Sequence, residues 1–241
     1  MKSNKPRILL YDIETSPNIS YTWGKWEQDV LFFKKEWELL SFAYKWLGEK
    51  KVHCIARPDF KDTTEKSIVK EIWKLFDEAD ILIAHNGDQF DNKKCRAKFI
   101  EYNLPPPSLY NTIDTKKIAK QSFNFNSNSL NDIAKLLKLG TKVDTGGFEL
   151  WLKCMAGDKI AWDRMVKYNK KDVLLLERVY LKFRSWMKNH PNVSKFFGRE
   201  GCPTCGSLKI ISNGFRMTAK GRQQKWQCQE CGHYYTGKLD K

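Results

Sequence analysis

A short apolar run near the amino end of the chain, from Ile8 to Tyr11, passes directly into an acidic stretch. Four apolar or aromatic residues in a row, ahead of any helical pattern, predict a buried strand. Asp12 and Glu14 follow the run, and because residues two apart on a strand point to one face, both carboxylates project together. Two neighbouring anions are costly unless a cation neutralises them. The strand end is therefore either a solvated acidic pair or a cation site.

Strand-like patterns continue to residue 56. Residues 19–33 are rich in aromatic and β-branched residues, residues 39–47 keep that character, and residues 51–56 predict a further short strand after a glycine turn. We expect these segments to form antiparallel strands at one edge of a sheet. The large aromatic residues of the first segment are interpreted as core, with stacking on the bases of a frayed nucleic-acid end as the alternative. They are Trp23, Trp26, Phe32 and Phe33.

Helices and strands alternate from residue 62 onward. The patterns predict a helix from a capping box at 62–65 to about Ala79, a buried strand at 81–84, a helix at 91–102, a weak strand at 111–114, a helix from Ser129 through Leu137, and helices over 147–187 interrupted near Gly157. Strands first and alternation later predict an α/β fold, a mixed sheet flanked by helices. Residues 189–201 are interpreted as a linker between a domain over 1–190 and a small unit over 200–241.

The composition indicates a packed and strongly basic protein. Hydrophobic residues make up 41% of the 241 positions, and the formal net charge is +15. Such an excess favours a polyanionic partner, either nucleic acid or an anionic membrane surface. No apolar run approaches the length of a membrane span, and the amino end lacks the apolar core of a signal peptide. We therefore expect a nucleic-acid partner, no membrane, and a cytoplasmic location.

Two further carboxylates occur in contexts that match the first. Asp91 stands where a buried strand gives way to a helix, a usual place for functional groups in α/β sheets, although aspartate also serves there as a helix N-cap. Tyr168 and Asp172 lie four apart in a helical pattern, so the hydroxyl and the carboxylate share one helix face. A partly buried tyrosine beside a solvated aspartate would give the same pattern.

Three motifs appear in a known order: Tyr-Asp-Ile-Glu-Thr at 11–15, Asn-x-x-x-Phe-Asp at 86–91 and Tyr-x-x-x-Asp at 168–172. They resemble the motifs of DEDD-type 3′–5′ exonucleases of the tyrosine subtype, above all the proofreading domains of family-B DNA polymerases and their stand-alone relatives. The resemblance covers roughly residues 5 to 188 and implies a ribonuclease H-like fold. Since this sequence carries no polymerase domains, the expectation is a stand-alone nuclease.

The resemblance implies a role for each motif residue around two Mg²⁺ or Mn²⁺ ions, for which carboxylates are suitable hard ligands. Asp12 is expected to bridge both ions, and Asp91 to hold the second. Glu14 and Asp172 are expected to complete the site that holds the attacking water. Tyr168 is expected to orient that water, because a phenol with a pKa of about 10 is a poor base at neutral pH.

Asn86 and Phe90 match family positions that support the site and contact the terminal nucleotides. A turn-forming asparagine and a core phenylalanine are the alternatives for these two positions.

Four cysteines near the carboxyl end form two C-x-x-C pairs, each followed by glycine, and they are Cys202, Cys205, Cys228 and Cys231. Four thiolates suit one closed, tetrahedral structural Zn²⁺ site, and two disulfides are disfavoured in a reducing compartment. The segment resembles the zinc ribbons at the amino ends of some transposases, which bind nucleic acid, although docking to a protein is an alternative. The basic residues between the pairs are expected on its hairpin, either against phosphates or solvated. They are Arg216, Lys220, Arg222 and Lys225.

These features together predict a two-metal-dependent 3′–5′ exonuclease that hydrolyses DNA, at single-stranded or frayed 3′ ends, to nucleoside 5′-monophosphates. An RNA-directed exonuclease with the same site is the nearest alternative. A non-catalytic nucleic-acid-binding protein is an alternative from a different functional class, and so is a transposase-like regulator centred on the ribbon. DNA is the preferred partner over RNA, and replication or repair proteins are candidate protein partners.

Overall fold

The computed structural model describes residues 5–26, 29–61, 64–198, 200–219 and 221–239. Asp62 and Thr63 of the predicted capping box, and Lys220 of the predicted ribbon hairpin, lie outside the described residues. The main body is built on a mixed five-stranded sheet. Its strands are β1 (Ile8–Thr15), β4 (Leu39–Trp46), β5 (His53–Ala56), β6 (Ile81–Ala84) and β7 (Asn111–Asp114).

The strand order is β5-β4-β1-β6-β7, so β1 lies in the centre. The three strands β5, β4 and β1 pair antiparallel, whereas β1, β6 and β7 run parallel. The predicted mixed sheet, antiparallel at one edge, is confirmed. Because the carboxyl ends of parallel strands meet at one edge, the residues that end or follow β1, β6 and β7 gather there.

Helices cover both faces of this sheet. They are α1 (Lys66–Glu78), α2 (Asp91–Glu101), α3 (Thr115–Ser122), α4 (Leu130–Leu136), α5 (Glu149–Met155) and α6 (Lys159–Phe183). One core lies between the sheet and the helices α1 and α2, and the other lies between the sheet and the helices α3, α4 and α6. The predicted interruption near Gly157 is present, where a positive φ of 85° ends α5 and Asp158 caps α6.

The alternation along β1 decides which face its carboxylates occupy. Leu9 and Tyr11 are buried against α1 and α2, whereas Leu10 is buried against the helices of the opposite face. Asp12 and Glu14 share the parity of Leu10, so they project toward α6. The strand pattern therefore brings two carboxylates to the helix that carries the third motif.

The aromatic segment after β1 differs from its prediction. It forms a separate two-stranded hairpin of β2 (Ile19–Tyr21) and β3 (Phe32–Lys35), which pair only with each other. The interpretation of its aromatic residues as core is wrong, because none of the described helices or sheets covers the hairpin and its side chains stay in solvent. The exposed fractions are 87% for Trp23, 75% for Trp26, 60% for Phe32 and 46% for Phe33.

The carboxyl-terminal part forms a three-stranded antiparallel sheet in the order β10-β9-β8, from β8 (Ile210–Thr218), β9 (Gly221–Cys228) and β10 (Tyr234–Leu239). The segment predicted as a linker contains a short helix, α7 (Val193–Phe196), whose Val193 is buried in the core on the α6 face. The Val193 amide donates to the Pro203 carbonyl at 2.7 Å. His233 pairs through Nδ1 with the Ser185 carbonyl at 2.9 Å. Among the helices described, none combines the length and apolarity needed to cross a membrane.

Candidate active site and metal centre

Three of the predicted carboxylates meet at the sheet edge. Asp12 and Glu14 extend from β1, and Asp172 extends from α6. One carboxylate oxygen of each lies within 4.8 Å of the other two. Asp172 is buried with 1% of its surface exposed, whereas the two strand residues remain partly open to solvent. Groups far apart in the sequence therefore form one acidic cluster.

Asp91 lies beside this cluster and is not a member of the group of three. It is the first residue of α2, and its Oδ1 accepts a hydrogen bond from the Ile13 amide at 3.3 Å. Ile13 stands between the two carboxylates of β1, so Asp91 is held next to both. Its carboxylate contributes to the raised pKa of Asp12. The structure thus places all four acidic residues in one electrostatic unit, with three of them in mutual contact range.

Burial raises the pKa of every carboxylate in the unit, and repulsion from the other carboxylates adds to the rise for Asp12 and Glu14. Burial is the main cause for Glu14, followed by the charge of Asp172, and its pKa rises to about 8. Burial also raises the pKa of Asp91 to about 7. The pKa of Asp12 and that of Asp172 shift upward for the same first reason. Such a unit holds protons near neutral pH unless a cation replaces them.

Lys142 is a cation within this acidic cluster that the sequence did not single out. Its Nζ lies 2.5 Å from Asp172 Oδ2 and 3.4 Å from the Tyr168 hydroxyl oxygen. Burial acts to lower the pKa of Lys142, but the charge and hydrogen bond of Asp172 outweigh burial and raise it. Its own amide donates to the Asn131 side chain at 3.0 Å, which fixes the loop after α4. The cluster therefore carries a built-in positive charge.

Asn169 is a second residue that sequence reasoning missed. It is fully buried, and its Nδ2 donates to Asp12 Oδ2 at 2.6 Å. Its Oδ1 accepts from the Ser41 hydroxyl of β4 at 2.9 Å. The side chain thus ties the α6 motif to two strands of the sheet and fixes one oxygen of Asp12. An asparagine inside a helical motif gives no signal in the sequence, because its partners come from distant segments.

Tyr168 lies where the Tyr-x-x-x-Asp spacing predicts, one turn before Asp172. Burial, followed by the charge of Glu14, raises the pKa of its hydroxyl. The Trp151 ring of α5 packs edge-on against the tyrosine ring, with 6.2 Å between centroids. A phenol held neutral in this way can donate or accept a hydrogen bond but cannot serve as a base at neutral pH.

Asn86 and Phe90 flank the turn that leads from β6 into α2. Asn86 adopts a positive φ of 73°, and its amide donates to Asp114 Oδ1 at 2.9 Å. The Asp114 carboxylate also accepts from the amide of Asp88 at 3.3 Å, so it supports the turn that carries Asp91. Phe90 is 41% exposed next to Asp91, which corrects the alternative of a core phenylalanine. The turn therefore presents a partly exposed aromatic ring directly before Asp91.

The donor set of the cluster fits a hard divalent cation. Asp172 Oδ1 is buried and has no hydrogen-bond partner among the residues that the structure describes. A buried carboxylate oxygen without a donor is costly, and a metal ion would satisfy it. Carboxylate oxygens grouped in this way are the ligands that Mg²⁺ and Mn²⁺ prefer. Asp12, Glu14 and Asp172 could therefore hold a metal ion, with Asp91 alongside.

The four cysteine sulfurs form a second candidate metal site and lie within 4.8 Å of one another. The Sγ atoms of Cys202 and Cys231, and those of Cys205 and Cys228, are 3.6 Å apart. Four thiolates around a tetrahedral ion at about 2.3 Å would be about 3.8 Å apart, so the spacing fits. Gly206 has a φ of 74°, and a Cβ there would come 2.5 Å from the Phe197 ring, so this position requires glycine.

Comparisons with known proteins agree with this geometry. Residues 31–184 match the family model described as the RNase_H superfamily, and the chain belongs to that superfamily. None of the curated proteins matches the chain. Among solved structures, it is similar to the family B DNA polymerase from the hyperthermophilic archaeon Pyrobaculum calidifontis, with a TM-score of 0.50 and 15% identity over 74% of this chain. The similarity spans 25% of that polymerase and concerns the fold.

Proposed function

We propose that this protein is a two-metal-dependent 3′–5′ exonuclease that hydrolyses DNA at single-stranded or frayed 3′ ends and releases nucleoside 5′-monophosphates. The observation that carries the proposal is the meeting of Asp12, Glu14 and Asp172 within 4.8 Å, at the sheet edge of a ribonuclease H-like fold. A nuclease acting on nucleic acid is consistent with the superfamily and with the net charge of +15.

The proposed roles follow the positions of the side chains. Asp12, Glu14, Asp91 and Asp172 would hold two Mg²⁺ or Mn²⁺ ions, which supply a nucleophilic water and neutralise the phosphate when bound. Asn169 fixes Asp12 for this purpose through the 2.6 Å hydrogen bond. The neutral Tyr168 hydroxyl orients the attacking water by hydrogen bonding.

Lys142 adds a role that the motifs did not predict. Its ammonium lies between Asp172 and Tyr168, so it neutralises the cluster and offers a positive charge to a phosphate oxygen. Asn86 and Phe90, on the turn before α2, are proposed to contact the terminal nucleotides.

The carboxyl-terminal unit over 200–241 is proposed as a zinc ribbon that binds the same polymer. Its four thiolates would hold one structural Zn²⁺, which supplies folding energy to a segment with little core of its own. Between residues 200 and 241 the sequence has seven lysine and arginine residues and three acidic ones, a balance that suits phosphates. Attachment of this unit to the main body raises the effective concentration of substrate at the acidic cluster.

The proposal is tested with a single-stranded DNA labelled at its 5′ end, incubated with the protein and Mg²⁺. The expected result is a ladder that shortens from the 3′ end in one-nucleotide steps. Asp12→Ala is the matched control, and it should abolish the ladder while the fold is kept, since it relieves repulsion among anions. Binding without cleavage by the wild-type protein would favour a non-catalytic scaffold. Faster shortening of an RNA strand of the same sequence would instead favour the RNA-directed alternative.

A further inference from the structure

The exposed hairpin of β2 and β3 leaves the sheet next to the acidic cluster. β1 ends at Thr15, one residue after Glu14, and β2 begins at Ile19. The Ser16 amide donates to the Glu38 carbonyl at 2.8 Å, and the Glu38 amide donates to the Ser16 hydroxyl at 2.9 Å. These two bonds close the base of the hairpin, so it is anchored at the edge where the carboxylates gather.

Aromatic rings and lysines alternate over the hairpin surface. The Tyr21 and Phe32 rings pack across the two strands with 4.9 Å between centroids. Nearer the tip, Lys25 Nζ lies 5.1 Å from the centroid of the Trp26 ring. Trp23 is 87% exposed, and large apolar side chains left in solvent in this way mark interaction surfaces. Several large rings left in solvent beside a candidate active site indicate a surface that a ligand covers.

A lysine and two aromatic rings also lie between the base of the hairpin and the start of α2. The Trp37 amide donates to the Asn18 side chain at 2.8 Å, which joins Trp37 to the segment between β1 and β2. Lys94 Nζ lies 3.6 Å from the centroid of that ring and 5.1 Å from the centroid of the Phe90 ring. Phe90 precedes Asp91 directly. One ammonium group thus lies near both the Trp37 ring and the exposed ring of Phe90, the residue before Asp91.

We propose that the described hairpin residues, 19–26 and 29–35, together with Phe90 and the neighbouring Lys94, bind single-stranded nucleic acid by stacking its bases on the exposed rings. This inference rests on the proposed function for the class of its ligand. Surfaces that bind single strands combine aromatic platforms with positive charge along the backbone, and both are present here. Ammonium groups held against ring faces suit phosphates that pass beside stacked bases better than they suit an apolar protein surface.

In this arrangement the hairpin contacts substrate nucleotides on the 5′ side of the bond that is cleaved. Stacking is tolerant of sequence, because every base has a π-face. The surface therefore selects unpaired strands over duplexes, in which the bases stack on each other. A frayed 3′ end would be held open here while its last nucleotide reaches the carboxylates.

The test measures the affinity of the full chain for a fluorescein-labelled 12-nucleotide oligothymidylate by anisotropy, in buffer free of Mg²⁺, Mn²⁺ and chelator, so that no cleavage occurs and the ribbon keeps its metal. The variant Trp23→Ala/Trp26→Ala should bind at least about tenfold more weakly, since two exposed rings available for base stacking are removed. The variant Trp23→Phe/Trp26→Phe should stay within about threefold of wild type, because one aromatic ring replaces another. Leu109→Ala, at a fully exposed position in the segment before β7, is the matched control for loss of exposed apolar surface.

Two outcomes would overturn the proposal. One is wild-type affinity in the double alanine variant, which would assign the hairpin to another ligand such as a protein. The other is an equal loss in the phenylalanine and alanine variants, since stacking does not require an indole. Both are readable without catalysis, so a failure of the proposed exonuclease activity is detected separately by the labelled-DNA assay.

Discussion

Asn169 donates a 2.6 Å hydrogen bond to Asp12 and accepts one of 2.9 Å from Ser41, so one buried amide ties three elements together at the acidic cluster. Removal of this amide leaves Asp12 without its donor and the Ser41 hydroxyl without its acceptor. An unsatisfied buried polar group costs about 1–3 kcal/mol. The position of Asp12 and the stability of the protein therefore both depend on Asn169.

We predict that Asn169→Ala lowers kcat by at least about tenfold with a small change in KM, because a misplaced ligand acts on the chemical step. The measurement is steady-state cleavage of labelled DNA together with thermal unfolding. Ser41→Ala is the control, since it keeps the bond from Asn169 to Asp12 and should lower kcat less. Equal kcat values for Asn169→Ala and the wild type would contradict the positioning role.

Substitutions of Lys142 can distinguish its compensation of the carboxylate charges from its part in catalysis. Lys142→Met should lower the stability of the protein in buffer without Mg²⁺ or Mn²⁺, because the buried carboxylates lose a cation that lowers their pKa values. The same variant should need less Mg²⁺ for half-maximal activity, since no ammonium competes with the metal, yet should reach a lower kcat. Lys142→Arg retains the charge and serves as the control. A Mg²⁺ requirement that rises in the methionine variant would refute this account.

The stability of the metal-free protein should fall as the pH rises. Burial and the charge of Asp172 raise the pKa of Glu14 from 4.5 to about 8, so the folded state binds this proton more tightly than the unfolded chain. Unfolding then releases protons between these two values, and the free energy of unfolding decreases with pH across that window. Glu14→Gln removes the titration, so its melting temperature in buffer without Mg²⁺ or Mn²⁺ should exceed that of the wild type progressively from pH 5 to pH 8. Parallel pH profiles of the two proteins would rule out the shift.

The ribbon should contribute phosphate contacts that can be counted. For single strands, each neutralised phosphate adds about 0.7 to the slope of log affinity against log salt. The variant Arg216→Ala/Lys225→Ala should bind DNA more weakly and reduce that slope by about 1.4. Lys50→Ala/Lys51→Ala is the control, because these exposed lysines follow β4 at the sheet edge opposite the carboxylates. An unchanged slope in the ribbon variant would favour docking of the ribbon to a protein.

The fold and the acidic cluster were largely predictable, for a physical reason that β1 illustrates. Its apolar run and the parity of Asp12 and Glu14 depend on neighbours in sequence, so the pattern carries the information. Lys142 and Asn169 could not be found in this way. Their partners are brought close by the sheet and by α6, and nothing within a few residues marks them.

The hairpin shows the opposite limitation. Aromatic and β-branched residues such as Trp23 and Phe32 predict strands correctly, since those side chains fit a pleated surface. The pattern does not state whether another layer covers that surface. Exposure is decided by the pairing of β2 with β3 alone, away from the main sheet.

The helix α6 and the turn that follows it set the distance between the acidic cluster and the ribbon. It carries Asp172 of the acidic cluster, and just beyond its end the Ser185 carbonyl contacts His233 of the ribbon. The stretch from Asp172 to Ser185 spans about 20 Å at the rise of a helix. This length equals about six nucleotides at a spacing of about 3.4 Å along one strand. A single strand bound at both places must be longer than this distance. The proposed cleavage should therefore slow once the remaining strand is too short to reach the ribbon.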